Sequence, residues 1–340
     1  MLEGGARMRG LIFRLAFSFF IFLLFFSCQN RPNDYSRLVA FRKKCIEILG
    51  TRSGAILAMN PRNGLLLAVI NEKLAVQNST RPGSTFKIVT ALALLQNGLV
   101  NPADQFVCNG QVEIRGKIYR CWLREGHGEQ NLFQAIANSC NAYFFQAGEN
   151  LSADQLRSTA RQFHLGDCTG INLANEDCGR LPDWVSADEK NNFVVGQARA
   201  LAVTPLQMLR LVSAIANGGI FYRPFYPASL DELKKFRSEL IGMAQLSEAL
   251  RIFVKEGLRQ SVAYGTSVGA KLPNMIVAGK TGTSSEYFGM NTDAWFLGFA
   301  PFEKPEIAVA VFLENGRGAS DAAPLARQIL QAYFEWMESK

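Results

Sequence analysis

Ser53-Gly-Ala-Ile-Leu-Ala-Met59, Asn60-Pro-Arg-Asn-Gly64 and Leu65-Leu-Leu-Ala-Val-Ile70 follow one another without a break. Two apolar, β-prone runs around a Pro- and Gly-containing loop read as a β-hairpin. Downstream the pattern turns helical. Thr85 to Asn97 reads as a helix closed by Gly98. Asn131 with Gln134 resembles a capping box for a helix through Asn138. Ser152 caps another, with Leu156, Ala160 and Phe163 on one face. Thr204-Pro-Leu-Gln207 combines an N-cap, a Pro at the first helical position and a Gln at the third, and that helix ends at Gly218-Gly219. Strands return at Ile276–Lys280, Asp293–Phe299 and Glu306–Leu313, and Ala322–Glu338 is an amphipathic helix. This order predicts an α+β fold: an antiparallel sheet packed between helices, with an all-helical part between the hairpin and the last strands. No Pro/Ser-rich linker divides residues 51–340, so they read as one large domain.

The 340 residues are 48% hydrophobic and 19% charged, which excludes low-complexity disorder and a multi-span membrane protein. The net charge of +7 is scattered along the chain. A dedicated nucleic-acid binder clusters its cations, so no nucleic-acid partner is expected. A carboxylate ligand or an anionic polymer suits the balance.

Arg7, Arg9 and Arg14 precede the uncharged run Leu15 to Phe26. Twelve residues make about 18 Å of helix, short of the ~30 Å hydrocarbon core. Residues 1–28 therefore read as an export signal or a short membrane anchor. Cys28 suits a lipidated first residue, although Phe25 and Phe26 match a lipobox poorly. Residues 29–50 read as a tether or edge helix, with Leu38, Phe41, Cys45 and Ile48 in helical spacing. The catalytic part is then expected at the cell membrane, outside the cytoplasm. Of the seven cysteines, Cys108/Cys121 and Cys168/Cys178 are the natural candidate bridges, with buried free thiols as the alternative. Zinc is not expected: the only histidines are His127 and His164, and there is no CxxC or HxxxH spacing.

Three short motifs carry chemistry. In Ser84-Thr-Phe-Lys87 the two polar residues share a helix face. Pro82-Gly83 puts Ser84 at the first turn, where free N–H groups favour negative charge. A serine hydroxyl needs a base to become a nucleophile, and a buried lysine kept neutral can serve. Ser139-Cys-Asn141 sits between two helical runs and can aim a hydroxyl and an amide at one point. Lys280-Thr-Gly-Thr283 continues a strand, with Lys280 and Gly282 on one face and Thr281 and Thr283 on the other. A cation beside hydroxyls suits a carboxylate, and Gly allows close approach.

In this order SxxK, SxN and KTG form the serine acyltransferase constellation. The surrounding words Arg81-Pro-Gly-Ser-Thr-Phe-Lys87, Gly126-His-Gly128, Thr204-Pro-Leu-Gln-Met208, Val277-Ala-Gly-Lys-Thr-Gly-Thr283 and Ala294-Trp-Phe-Leu-Gly-Phe-Ala-Pro301 strongly resemble the transpeptidase domain of penicillin-binding proteins. The resemblance covers about residues 51–335 and implies the penicillin-binding/β-lactamase-like fold, with no cofactor. It implies that Ser84 attacks the penultimate D-Ala carbonyl of a peptidoglycan stem peptide, with Lys87 as base. Ser139 would relay the proton, and Asn141 would hold the substrate amide. Lys280 would tune charge and hold Lys87 neutral, Thr281 or Thr283 would bind the terminal carboxylate, and Gly282 would complete the motif. The oxyanion hole would be the N–H groups of Ser84 and Thr283. Peptidoglycan stem peptides and β-lactam antibiotics are the implied ligands, and the resemblance leaves open whether a larger cell-wall synthesis complex is a partner. Gly196-Gln197-Ala198 departs from the family's Gly-Gln-Gly turn, which weakens a role for Gln197. Asn71 to Arg81 is short for the family, which keeps D,D-carboxypeptidase or endopeptidase activity as the alternative. A penicillin-sensing receptor and a β-lactamase rank below it.

Overall fold

The computed structural model describes residues 34–183, 186–285 and 291–338. The expected export segment and Cys28 lie outside them. Two units divide the chain, residues 1–38 and 39–340. Helix α1 (Asp34–Leu49) occupies most of the stretch read as a tether or edge helix. Beyond Val39 it is packed: Phe41 stacks on Trp336 at 5.7 Å, and the buried Arg42 donates to the carbonyls of Leu67 and Pro227.

The opening hairpin forms as read. β1 (Gly54–Met59) and β2 (Leu66–Ile70) are fully buried and pair with Ile56 opposite Ile70. Gly64 closes their loop in the left-handed region (φ 82°), where a Cβ would lie 2.6 Å from the Arg223 carbonyl. The C-terminal strands are β3 (Ala278–Ser285), β4 (Thr292–Ala300) and β5 (Ile307–Leu313). They complete an antiparallel sheet in the order β2-β1-β5-β4-β3, so β3 is its edge. Burial on both faces explains the unbroken apolar run Ile307-Ala-Val-Ala-Val-Phe-Leu313 in the middle of the sheet.

The helices that flank the site are α2 (Lys87–Gln96), α3 (Leu132–Ala137), α4 (Asn141–Ala147), α5 (Ala153–Gln162), α6 (Pro205–Ala216), α7 (Glu248–Ala263) and α8 (Ala323–Glu338). Capping boxes open α3, α5 and α6 at Asn131/Gln134, Ser152/Gln155 and Thr204/Gln207. Such caps satisfy backbone N–H groups that have no partner inside the helix. Both α6 and α8 pack on the central strand β5, and α7 runs beside α3 and β3.

One expectation needs correcting. The segment between the hairpin and the last strands is not all-helical. It holds three small antiparallel pairs: Phe106–Cys108 with Gly128–Gln130, Gln111–Ile114 with Lys117–Arg120, and Ile220–Tyr222 with Leu240–Met243. These strands are three or four residues long and largely exposed, so they carry no apolar alternation to announce them. Among the described residues no helix is long and apolar enough to cross a membrane.

Candidate active site

Ser84 lies in a short 3-10 turn, Gly83–Phe86, that runs straight into α2. Gly83 is left-handed at φ 53°, and a Cβ there would sit 2.6 Å from the Thr283 carbonyl. Across the contact, a Cβ on Gly282 would sit 2.9 Å from the Pro82 carbonyl. Two glycines therefore let the Ser84 turn lie directly against β3, which is the physical reason for Gly at both positions. The Gly83 amide donates to the Gly196 carbonyl at 3.0 Å, and Gln197 Nε2 donates to the Thr283 carbonyl at 3.0 Å. Gln197 thus ties the loop before it to the edge strand, a stronger place than its sequence context suggested.

One turn on, Lys87 is completely buried. Its Nζ donates to the Ser139 carbonyl at 2.7 Å, to Ser139 Oγ at 3.3 Å and to Asn141 Oδ1 at 2.5 Å. The SxxK and SxN motifs, more than fifty residues apart, therefore meet at one nitrogen. Ser139 sits in the left-handed region at φ 54°, a strained place for a residue with a Cβ. Cys140 caps α4, its sulfur accepting from the Tyr143 amide at 3.4 Å, and Asn141 is the first helical residue.

Lys280 is also fully buried, and its Nζ donates to the Thr281 carbonyl at 2.9 Å. Thr281 is fixed from α7 and the loop after it: its amide donates to Ser267 Oγ, and its hydroxyl lies 2.8 Å from Thr266 Oγ1. Thr283 Oγ1 accepts from the Gly318 amide. Ser84, Ser139, Asn141, Thr281, Gly282 and Thr283 all line one cavity of about 460 Å³, and Trp122, Val195, Gln197, Thr266, Arg317 and Ala319 complete its wall. The two buried lysines stand behind that wall. All eight residues chosen from the motifs thus come together. Thr266, Trp122 and Arg317 were missed, because nothing local marks a lone Thr, Trp or Arg as a wall residue.

Burial pushes the Lys87 ammonium down to about 8, against an opposing pull from the thiols of Cys121 and Cys140. Burial also holds Lys280 well below its ordinary value, and the Lys87 charge lowers it further. The expectation that Lys280 keeps Lys87 neutral is therefore revised. Desolvation comes first for Lys87, and the repulsion falls on Lys280.

The cysteines divide differently from the sequence reading. Cys168 and Cys178 form a disulfide. Cys108 and Cys121 do not; both are free and buried. With Cys140 and His127 they bring three sulfurs and a ring nitrogen within 4.8 Å of one another. That convergence runs against the expectation that zinc has no place here. The four side chains come from two small hairpins and the SxN turn, a spacing no consecutive motif displays. The Cys121 thiol is held well down, first by its hydrogen bond with Cys140 and then by His127, while burial opposes. Cys140 is correspondingly pushed up.

The site thus sets a serine at a helix start, a buried lysine beneath it and a hydroxyl-lined edge strand beside it. The model of the penicillin-binding protein transpeptidase domain matches residues 54–331, and the chain belongs to that family. It is 34% identical to the stage V sporulation protein D of Bacillus subtilis over 311 residues, 81% of this chain and 48% of that one. It is 30% identical to the peptidoglycan D,D-transpeptidase MrdA of Acinetobacter baumannii, over 84% of this chain and 51% of that one. The chain thus spans about half the length of the curated relatives it matches. Among solved structures it resembles PBP2 of Pseudomonas aeruginosa, with a TM-score of 0.78 and 27% identity over 86% of this chain and 76% of that one.

Proposed function

We propose that the chain is a serine D,D-transpeptidase that cross-links peptidoglycan stem peptides ending in D-Ala-D-Ala and is acylated by penicillins. The observation that carries this reading is the position of Lys87. It is desolvated and hydrogen-bonded to both polar residues of the SxN motif, one turn from a serine in the cavity wall. In the proposed reaction neutral Lys87 takes the Ser84 proton as Oγ attacks the penultimate D-Ala carbonyl. The oxyanion is received by the amides of Ser84 and Thr283, from two segments that abut at Gly83. Ser139 passes the proton to the departing D-Ala nitrogen. Asn141 holds the stem-peptide amide, and Thr281 and Thr283 hold the terminal carboxylate. An amine of a second stem peptide then attacks the acyl-enzyme, gives up its proton and releases Ser84.

The reading extends to location. The apolar run Leu15 to Phe26 behind three arginines supports a membrane-attached protein with its catalytic domain outside the cytoplasm. Lipid labelling in wild type and Cys28→Ala separates lipidation at Cys28 from a cleaved signal or a short uncleaved anchor. A relative at 27% identity was solved in a peptidoglycan synthase complex that coordinates polymerization and crosslinking, which supports docking on such an assembly. Mass spectrometry of products from a pentapeptide donor and an amine acceptor tests the activity. Cross-linked dimers are expected. Released D-Ala without dimers would mean a carboxypeptidase, and neither product would overturn the reading.

A further inference from the structure

We propose that Asp177, on the loop closed by the Cys168–Cys178 disulfide, is a positioning residue for Ser84. Its carboxylate straps down the connector from which the Ser84 turn springs. The proposal rests on the reading of Ser84 as the serine that penicillin acylates.

The connector needs such a strap. Gln77-Asn-Ser-Thr-Arg81 links the short helix Glu72–Val76 to Pro82 and the Ser84 turn, and it holds no apolar side chain. Hydrophobic burial therefore does little to fix it, and hydrogen bonds must. The Asp177 amide donates to the Val76 carbonyl at 3.0 Å, and Asp177 Oδ2 accepts from the Ser79 amide at 2.9 Å. Its Oδ1 accepts from the Gly179 amide at 2.8 Å, so both carboxylate oxygens are engaged and the side chain is held in one orientation. Bonds from backbone N–H groups to a carboxylate are charge-assisted and stronger than neutral ones. From the same loop, the Ala174 carbonyl accepts from Gln77 Nε2 at 3.3 Å.

The loop is itself anchored. The disulfide ties Cys168 to Cys178, ten residues apart. Across the loop, the Glu176 carboxylate accepts from the amides of Thr169 and Gly170. Gln207 Nε2, in the capping box of α6, donates to the carbonyls of Asp167 and Cys178. Just beyond, Arg180 pairs with Ala202 and Thr80 with Val203, each by two backbone bonds. Loop, connector and the segment before α6 thus meet in one junction. Pro82 follows Thr80 closely and has a fixed φ, which makes the last step stiff. The Gly83 amide then meets the Gly196 carbonyl, and Ser84 comes next. A shift at Ser79 has little slack in which to be absorbed before it reaches Ser84.

The test measures penicillin acylation of the full-length protein in detergent, well below its unfolding temperature, as a binding step followed by a chemical step. Asp177→Ala should slow the chemical step by about ten- to a hundredfold, because a 1 Å misplacement costs on the order of 10². The affinity of the first complex should stay unchanged, and so should the pH midpoint near 8, since Lys87 is not touched. A role in stability alone would lower the unfolding temperature and leave the chemical step as it was. Asp177→Asn, which keeps one acceptor oxygen, should recover part of the loss. Cys168 is exposed, so a soluble dithiol can reach the bond. The dithiol is oxidised to its cyclic disulfide as Cys168 and Cys178 become two thiols. That reduction should slow the same step in wild type and have no effect in Cys168→Ser/Cys178→Ser, and re-oxidation should restore it. Hydrogen exchange of the Ser79 amide should quicken in Asp177→Ala, a readout that needs no catalysis. An unchanged chemical step in Asp177→Ala overturns the positioning role, and unchanged Ser79 exchange overturns the strap. A step indifferent to reduction removes the disulfide from the account. A wild type that penicillin does not acylate overturns the reading of Ser84 and the positioning role with it, while Ser79 exchange still reports on the strap.

Discussion

The catalytic core and the small hairpins beside it are held together by different means. Around Ser84 the elements are long and buried on both sides. β5 has no exposed residue, and the two active-site lysines have no exposed surface at all. In residues 106–130 the strands are three or four residues long and mostly exposed, and the buried points are Cys108, Gly110, Ile114, Cys121 and Gln130. The core positions its catalytic groups by packing and close backbone approach. The hairpins have little to pack, and what converges there is polar and nucleophilic. Rigidity for chemistry thus has two sources in one molecule, hydrophobic burial in one region and a cluster of ligand-type side chains in the other.

The largest expected effect lies in the core. Ser84→Ala should abolish labelling by a fluorescent penicillin while leaving the protein folded, and an adduct mapping elsewhere would break the site. Lys87→Ala comes next. General-base groups contribute ~10²–10⁴, so acylation should fall by at least that range, and a near-normal rate would remove Lys87 from the reaction. Leu297→Ala, at a fully buried position of β4, should cost about 2–5 kcal/mol in denaturant unfolding. A cost below about 1 kcal/mol would mean that packing does not hold the core as the comparison supposes.

How much of this was legible follows the same division. The opening hairpin, the caps at Asn131, Ser152 and Thr204, and the last three strands each carry a local signal. The structure places them within a few residues of the reading. The three motifs were legible because each is a short word, and the glycine of the KTG strand already pointed to close approach, which Gly282 shows. The convergence of Cys108, Cys121, His127 and Cys140 was not legible. Gaps of six to thirteen residues look like no metal motif until the hairpins fold them onto the SxN turn. Helix α7 also escaped notice, although it supports β3 through Ser261, whose hydroxyl donates to the Ser267 oxygen that fixes Thr281. Contacts of that kind exist only in three dimensions.

Next in size is the pH dependence of acylation. In the proposed reaction neutral Lys87 is the base, and burial lowers its ammonium to about 8. The rate should therefore rise as pH increases through about 8 and level off above it. Because desolvation comes first, Lys280→Gln should leave that midpoint nearly in place while slowing substrates that carry a carboxylate. Should the midpoint climb by a full unit in the Gln variant, like-charge repulsion from Lys280 would govern Lys87 after all, and burial alone would not explain the base.

The smallest effect belongs to the hairpins and completes the contrast with Leu297. Ile118 sits on the Lys117–Arg120 strand with 58% of its surface exposed. Truncation to Ala removes apolar area that is already in water, and exposed substitutions away from special features stay within about ±0.5 kcal/mol. Ile118→Ala should therefore shift the denaturant midpoint barely at all and leave penicillin acylation unchanged. The substitution tests whether apolar contact holds residues 106–130. If stability drops by more than about 1 kcal/mol in Ile118→Ala, the hairpins depend on apolar contact after all, and the second source of rigidity in the comparison loses its basis.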